Sequence, residues 1–347
     1  MRFARLAHGG IEIADVPSPT IGPGELLVTM AACGVCGTDL EKLAGGYTAS
    51  AILGHEPVGR VAAVGPGVPK HAVGDRVFVH HHVPCGTCAI CRRGEPTFCP
   101  TYGTTNLDPG GFAEAFRVSA QHVEAGAVLP LDPSIDWAEA TLLEPAGCVV
   151  TALRRVGFRP GQSGFVAGLG PVGILYARVA RALGASWVGG GEISARRRTV
   201  AESGGIDATV DPREEGAARR AVDAATGKEG VDLAVVATGA PVAIRGAFDL
   251  VRRAGTVNLF GVPPKESRLD VDLQQVYLRG IRIVPTYATG EEEIREVHAL
   301  RTSGRLTLAD LVSHRIPLSE TARAFEIARD PGASVKVVVT GPAVGST

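Results

Sequence analysis

An apolar run, Gly164-Phe165-Val166-Ala167, leads directly into Gly168-Leu169-Gly170-Pro171-Val172-Gly173. By itself the pattern G-x-G-x-x-G says little. Here it leaves a predicted strand and opens a predicted helix, Val172 to Leu183, and that context gives it meaning. The first glycine makes the turn, the second lets the backbone approach a pyrophosphate, and the third lets helix and strand pack closely. The phosphates sit at the helix N-terminus, where free amides and the helix dipole favour anions. Gly168, Leu169, Gly170, Pro171, Val172 and Gly173 are therefore candidates for binding a dinucleotide. A second strand is predicted around Trp187-Val188, and Glu192 beyond it is placed to bind the adenosine ribose hydroxyls. A carboxylate there favours NAD over NADP, because it repels a 2′-phosphate. Arg196, Arg197 and Arg198 are either solvated helix charges or a means of tolerating that phosphate, which keeps NADP open. Gly189-Gly190-Gly191 predicts a weak second strand and an adaptable corner of the site.

Downstream of the glycine turn, strands (Asp232 to Ala237, Thr256 to Phe260, Ile281 to Pro285) alternate with helical stretches (Arg196 to Glu202, Ala217 to Ala225, Val242 to Arg252). The fold class is α/β, with a parallel, doubly wound sheet here. Upstream the pattern is different. Glu12 to Val16, Glu25 to Met30, Arg60 to Val64 and Gly74 to Val79 are short strands between Gly/Pro turns, as in a barrel-like β domain. A helical period starts at Asp136-Trp137 and continues past Glu144-Pro145 to Arg155. Two helices, Glu291 to Arg301 and Leu318 to Ala328 with Ser319 as N-cap, and a strand Val335 to Val339 close the chain.

The chain has 347 residues, enough for two cores, and a formal charge of −1. That charge gives no reason to expect nucleic acid or an anionic membrane, and aromatics at 5% are too few for stacking platforms. No signal peptide or membrane-spanning run is evident. Seven cysteines, four of them in one segment, argue for reduced thiols in a cytoplasm and against a disulfide framework.

Cys85-Gly86-Thr87-Cys88-Ala89-Ile90-Cys91, with Cys99 following, is the strongest local motif. Two-residue gaps aim successive thiolates at one centre, and the later cysteine closes a tetrahedron. Four thiolates leave no position for water, so Cys85, Cys88, Cys91 and Cys99 make a structural zinc site. The rival is a non-enzymatic zinc-ribbon binding module. Only Arg92 and Arg93 supply charge nearby, which is thin for phosphate binding. His80-His81-His82 are read as strand-end or loop residues. Cys36, His55 and Glu56 are three ligand types that zinc accepts, flanked by Thr38 and Asp39; they are equally ordinary core residues, and alone they leave both readings open.

Together the motifs resemble the zinc-dependent medium-chain dehydrogenase/reductase family of alcohol dehydrogenases, most of all its sorbitol and threonine dehydrogenase branch. The matching elements are Gly34-Val35-Cys36-Gly37-Thr38-Asp39, Gly54-His55-Glu56-Pro57-Val58-Gly59, the four-cysteine lobe, Gly110-Gly111-Phe112-Ala113-Glu114, Glu144-Pro145 and the glycine turn, in the family's order. The resemblance covers essentially the whole chain. It implies a GroES-like catalytic domain at 1–150 with the zinc lobe at 85–99, a Rossmann NAD-binding domain at 151–290, and a segment 291–347 returning to the first. It implies a catalytic zinc on Cys36, His55 and either Glu56 or Glu144, with Cys148 a rival ligand and Cys33 a core thiol. Zinc would act as a Lewis acid on an alcohol oxygen, and a hydride would pass to the nicotinamide across a cleft. Thr38 begins the proton relay, and Asp39 orients His55.

The family commonly forms homodimers or homotetramers. The expected substrate is a secondary alcohol: a polyol, sugar, cyclitol or amino alcohol, oxidised to a ketone. The alternative is an NADP-dependent alcohol dehydrogenase or carbonyl reductase. Quinone and enoyl reductases share the fold but lack the Cys36/His55/Glu144 set. Two departures stand out: Glu41 occupies the place of a relay histidine, and Thr286-Tyr287 that of an Arg-Tyr pair of sorbitol dehydrogenases. Tyr47, Asn106, Phe112 and Tyr287 are pocket candidates.

Overall fold

The apolar runs after Gly161 assemble into a six-stranded sheet in the computed structural model, which describes residues 1–7, 10–45 and 51–342. The spatial order is Ala208–Val210, Trp187–Gly191, Ser163–Ala167, Val231–Val236, Val251–Leu259 and Arg282–Pro285, and every pairing is parallel. Strand order reverses between Ser163–Ala167 and Val231–Val236, the switch point of a Rossmann sheet. Both faces carry helices, so the strands read as continuous apolar runs and not as alternating ones. Val231, Ala234, Val236, Val251 and Val257 are buried with Phe165 and Phe248 in one core. Pro171 and Pro241 open the helices Pro171–Ala182 and Pro241–Leu250, where a missing N–H costs nothing.

Three local expectations are corrected. The helix expected to reach Arg252 stops at Leu250, because buried, β-branched Val251 begins the next strand. The helix expected from Asp136 to Arg155 is two helices, Trp137–Ala140 and Leu143–Val156. Pro145 cannot donate to a continuing ladder but is tolerated in a first turn. Ser319 does not cap a helix; it lies in a 3₁₀ turn, Leu318–Glu320, ahead of the helix Thr321–Arg329.

The triple-glycine strand is also better formed than expected. Trp187–Gly191 is paired on both sides, and Gly189, Gly190 and Gly191 are buried. A Cβ built at Gly190 would strike the Leu169 side chain, and one at Gly189 the Trp187 ring. The glycines make room for those groups.

Residues 1–144, 290–302 and 308–347 form one unit, and residues 145–289 and 303–307 the other. The first is built on a sheet with the order Val312–Pro317, Lys336–Thr340, Leu26–Gly34, Pro57–Val64, Arg76–Val79, Val128–Pro130, with Ala115–Val118 also paired to Leu26–Gly34. Leu26–Gly34 is central, and its register places Cys33 opposite both Pro57 and Val339, and Gly34 opposite Val338. Gly34 N–H donates to Glu56 O at 3.3 Å and Val35 N–H to Val337 O at 3.0 Å. A strand from the end of the chain thus runs beside the residues that flank Cys36.

Candidate metal and cofactor sites

Cys36 leaves the central strand and precedes the helix Gly37–Leu43; His55 and Glu56 precede the neighbouring strand Pro57–Val64. Adjacent strand ends therefore bring together residues far apart in sequence. One donor atom each of Cys36, His55 and Glu56 lies within 4.8 Å of the others. A thiol, an imidazole and a carboxylate at that spacing suit zinc. Asp39 is fully buried, and its Oδ1 stands 3.4 Å from His55 Nδ1. Its oxygens also accept from Cys36 N (3.1 Å) and Gly54 N (3.2 Å). Burial alone would raise the Asp39 carboxyl; His55 beside it, together with Lys42 and the Cys36 amide, outweighs burial and holds it below its usual range. With Nδ1 facing Asp39, the imidazole is oriented to offer Nε2 to a metal.

Glu56 is 0% exposed and is met by Lys336, itself 3% exposed, with Nζ 2.7 Å from Oε1 and 2.5 Å from Oε2. Burial pulls the Lys336 ammonium down, but Glu56 and Cys36 more than offset this and raise it. A Cβ at Gly34 would run into the Glu56 carboxylate, so any larger residue there would displace the ion pair. No motif in the sequence marks Lys336. A lone cation in Val335-Lys336-Val337-Val338-Val339 was the available signal, since a charge in a buried apolar strand needs a partner.

Glu144 falls in a second group, with His80 and His81, whose donor atoms again lie within 4.8 Å. His80 is saturated, with Nδ1 2.9 Å from Glu291 Oε1 and Nε2 3.3 Å from the Tyr102 hydroxyl. The His81 and His55 ring centroids are 5.0 Å apart. The three histidines do follow a strand end, as expected, but the loop turns His81 toward His55. The sequence does not show this, because which way a loop side chain points is not periodic.

Burial pushes His82 down to about 3, while His81 falls well below its usual range and His122 below it. An unfolded imidazole takes up a proton below about 6.5 and these folded ones do so only at lower pH, so their stability contribution is complete above that pH and is lost on acidification. His82 by itself should cost about 2 kcal/mol at pH 5. Denaturant titrations at pH 7 and pH 5 should show that much smaller a drop in His82→Gln, which keeps a donor for Thr105 O. An unchanged drop refutes the assignment.

In the lobe, the Sγ separations are 3.5 Å for Cys88–Cys91, 3.8 Å for Cys88–Cys99 and 3.6 Å for Cys85–Cys99. A tetrahedron with Zn–S of about 2.3 Å has edges of about 3.8 Å. Disulfides are excluded at these distances. Amides point at the sulfurs, Cys88 N to Cys85 Sγ at 3.3 Å and Cys85 N to Cys99 Sγ at 3.4 Å, as thiolates require. The four residues fit a structural zinc.

In the other unit, Gly168 has φ +95°, a value that favours glycine, and a Cβ at Gly173 would strike Gly168 O. Beside Gly170 a Cβ would meet only Arg197 Nη1, at 3.7 Å. The turn is therefore open to a ligand at its second glycine and closed at its third. Glu192 is 7% exposed and accepts from Leu169 N and Ser194 N, both at 3.0 Å. Those two bonds hold its carboxylate at the turn.

Thr38 is half-buried and Glu41 exposed. Cys33 is fully buried, and Cys148 belongs to the 145–289 unit. Phe112 is a core residue, edge-on to Phe325, and not a pocket wall. Asn106 is half-buried, Tyr287 is 37% exposed, and Tyr47 lies outside the described residues. Among the described residues no helix is long and apolar enough to cross a membrane.

Two family models match, the alcohol dehydrogenase GroES-like domain at residues 22–128 and the zinc-binding dehydrogenase domain at 171–303. The chain is 34% identical to D-altritol 5-dehydrogenase of Agrobacterium fabrum, covering 95% of this chain and 96% of that one. It is also 34% identical to L-threonine 3-dehydrogenase of Pyrococcus abyssi, over 95% and 94%. Among solved structures, a protein of Sinorhizobium meliloti 1021 bound to NADP superposes with a TM-score of 0.86 at 28% identity, covering 98% of each chain.

Proposed function

This chain belongs to the zinc-binding alcohol dehydrogenase family, and from that premise we propose that it oxidises a secondary alcohol of the polyol, sugar, cyclitol or amino-alcohol class to a ketone, with NAD as acceptor. The observation that carries the reading is the convergence of Cys36, His55 and Glu56 within 4.8 Å, in a chain that also holds a four-thiol lobe and a glycine turn. When bound, zinc supplies a Lewis acid for the alcohol oxygen, and the nicotinamide supplies the hydride acceptor. Cys36 and His55 would hold the metal, with Glu56 or Glu144 as the carboxylate donor. Asp39 fixes the His55 ring. The Thr38 hydroxyl takes the alcohol proton toward solvent. Gly168 to Gly173 bind the pyrophosphate, and Glu192 takes the adenosine ribose. Residues 1–144, 290–302 and 308–347 act as the catalytic domain and 145–289 with 303–307 as the NAD-binding domain, so the boundaries expected at 150 and 290 move by a few residues.

NADP is the second reading, and Arg197 beside Gly170 favours it. The free thiols support a cytoplasmic setting. Edge strand Arg282–Pro285 and exposed Leu273, Tyr277 and Leu278 support a homodimer or homotetramer, whose mass light scattering would measure. The decisive experiment is a panel of polyols, cyclitols and amino alcohols with NAD or NADP, followed by absorbance of the reduced nicotinamide. Turnover of at least one class is expected; none with any secondary alcohol refutes the reading.

A further inference from the structure

His81 is 9% exposed, and its Nδ1 is sealed from solvent without a hydrogen-bond partner. An imidazole nitrogen left so has lost its hydrogen bond to water and gained none in return. The neighbouring rings do not share this condition. His80 has both nitrogens engaged, and His82 Nδ1 is taken up by Thr105 O. His122 bridges Ser119 Oγ and His81 O. The only role those contacts give His81 is an anchored backbone. Its ring is held among imidazoles, with centroids 4.0 Å from His82, 5.0 Å from His55 and 5.4 Å from His80. One of its nitrogens lies within 4.8 Å of a Glu144 oxygen. The unused hydrogen-bonding group therefore stands one ring away from a proposed metal ligand. Turning the ring about Cβ–Cγ exchanges Nδ1 for Cδ2 without backbone movement.

We propose that His81 determines specificity by hydrogen-bonding a second hydroxyl, on the carbon next to the one oxidised, so that the site selects vicinal diols over simple alcohols. This rests on the dehydrogenase reading above and narrows it. Vicinal oxygens stand about 2.8 Å apart, the length of a hydrogen bond. A substrate with one oxygen beside Cys36 and His55 carries the next within reach of the ring that neighbours His55. A simple alcohol leaves the His81 nitrogen unpaired, and a site built to bond a hydroxyl discriminates strongly against a ligand without one.

The test uses zinc-loaded protein saturated with NAD and two alcohols that cannot be oxidised: pinacol, a vicinal diol, and 2,3-dimethylbutan-2-ol, which lacks one of its hydroxyls. Calorimetry should give pinacol about 10- to 100-fold tighter binding. His81→Phe should bring the ratio close to one by weakening pinacol alone, with zinc content unchanged. His81→Gln, with a donor and an acceptor of similar reach, should restore most of it. A wild-type ratio near one, a ratio unchanged in His81→Phe, or equal weakening of both alcohols overturns the proposal. Loss of a zinc in His81→Phe also overturns it, because the residue would then be a ligand. Neither probe needs turnover, so failure with every secondary alcohol counts against the dehydrogenase reading, while the ratio alone judges His81.

Discussion

Cys36→Ser is expected to lower the zinc content from two ions per chain to one and kcat/KM for a secondary alcohol by about 10⁴-fold. A loss of that size corresponds to about 5.5 kcal/mol of transition-state stabilisation, within the range a Lewis-acid metal supplies. Serine keeps the shape of the side chain but not the thiolate that zinc prefers. The surroundings should hold: Cys36 N–H still donates to Asp39, and Val35 N–H to Val337 O. The remaining zinc belongs to Cys85, Cys88, Cys91 and Cys99, whose sulfurs are organised by their own segment. Metal analysis beside steady-state kinetics decides the matter. Unchanged activity overturns the assignment of Cys36, and loss of both zincs shows that the two sites are not independent.

Lys336→Met is expected to destabilise the protein by about 3–5 kcal/mol, the usual cost of stranding one member of a buried ion pair. Glu56 would be left 0% exposed with its 2.5–2.7 Å partner removed. The double variant Glu56→Gln/Lys336→Met should recover most of the loss, since no uncompensated charge then remains. The same variants bear on the carboxylate donor. If Glu56 takes the metal, zinc replaces the missing positive charge, and Lys336→Met should be destabilised far less when zinc-loaded than after chelation. If Glu144 takes it, zinc should change the loss little. Denaturant unfolding of both forms makes the comparison. A loss below about 1 kcal/mol in the chelated protein would show that the pair is solvated in solution.

The two contiguous motifs were legible because short chain segments set their geometry. Cys85 to Cys99 close their own tetrahedron, and Gly168 to Gly173 are constrained one by one by φ +95° at the first and the backbone approach at the last. The alternation of strands and helices similarly determined the parallel sheet, since apolar runs covered on both faces have few other solutions. Glu192 could be located but its bonds could not, because Ser194 N and Leu169 N reach it from separate turns. Cys36 stands apart from His55 and Glu56 in the sequence, and only the junction of two strand ends brings their donor atoms within 4.8 Å of one another. Lys336 and Glu56 lie 280 positions apart, and the pairing of Lys336–Thr340 and Pro57–Val64 with the same central strand brings them together. The direction of the His81 ring depends on the loop after Arg76–Val79, which has no period to read. Local backbone geometry thus determined the two contiguous motifs, and non-local strand pairing decided which distant side chains meet.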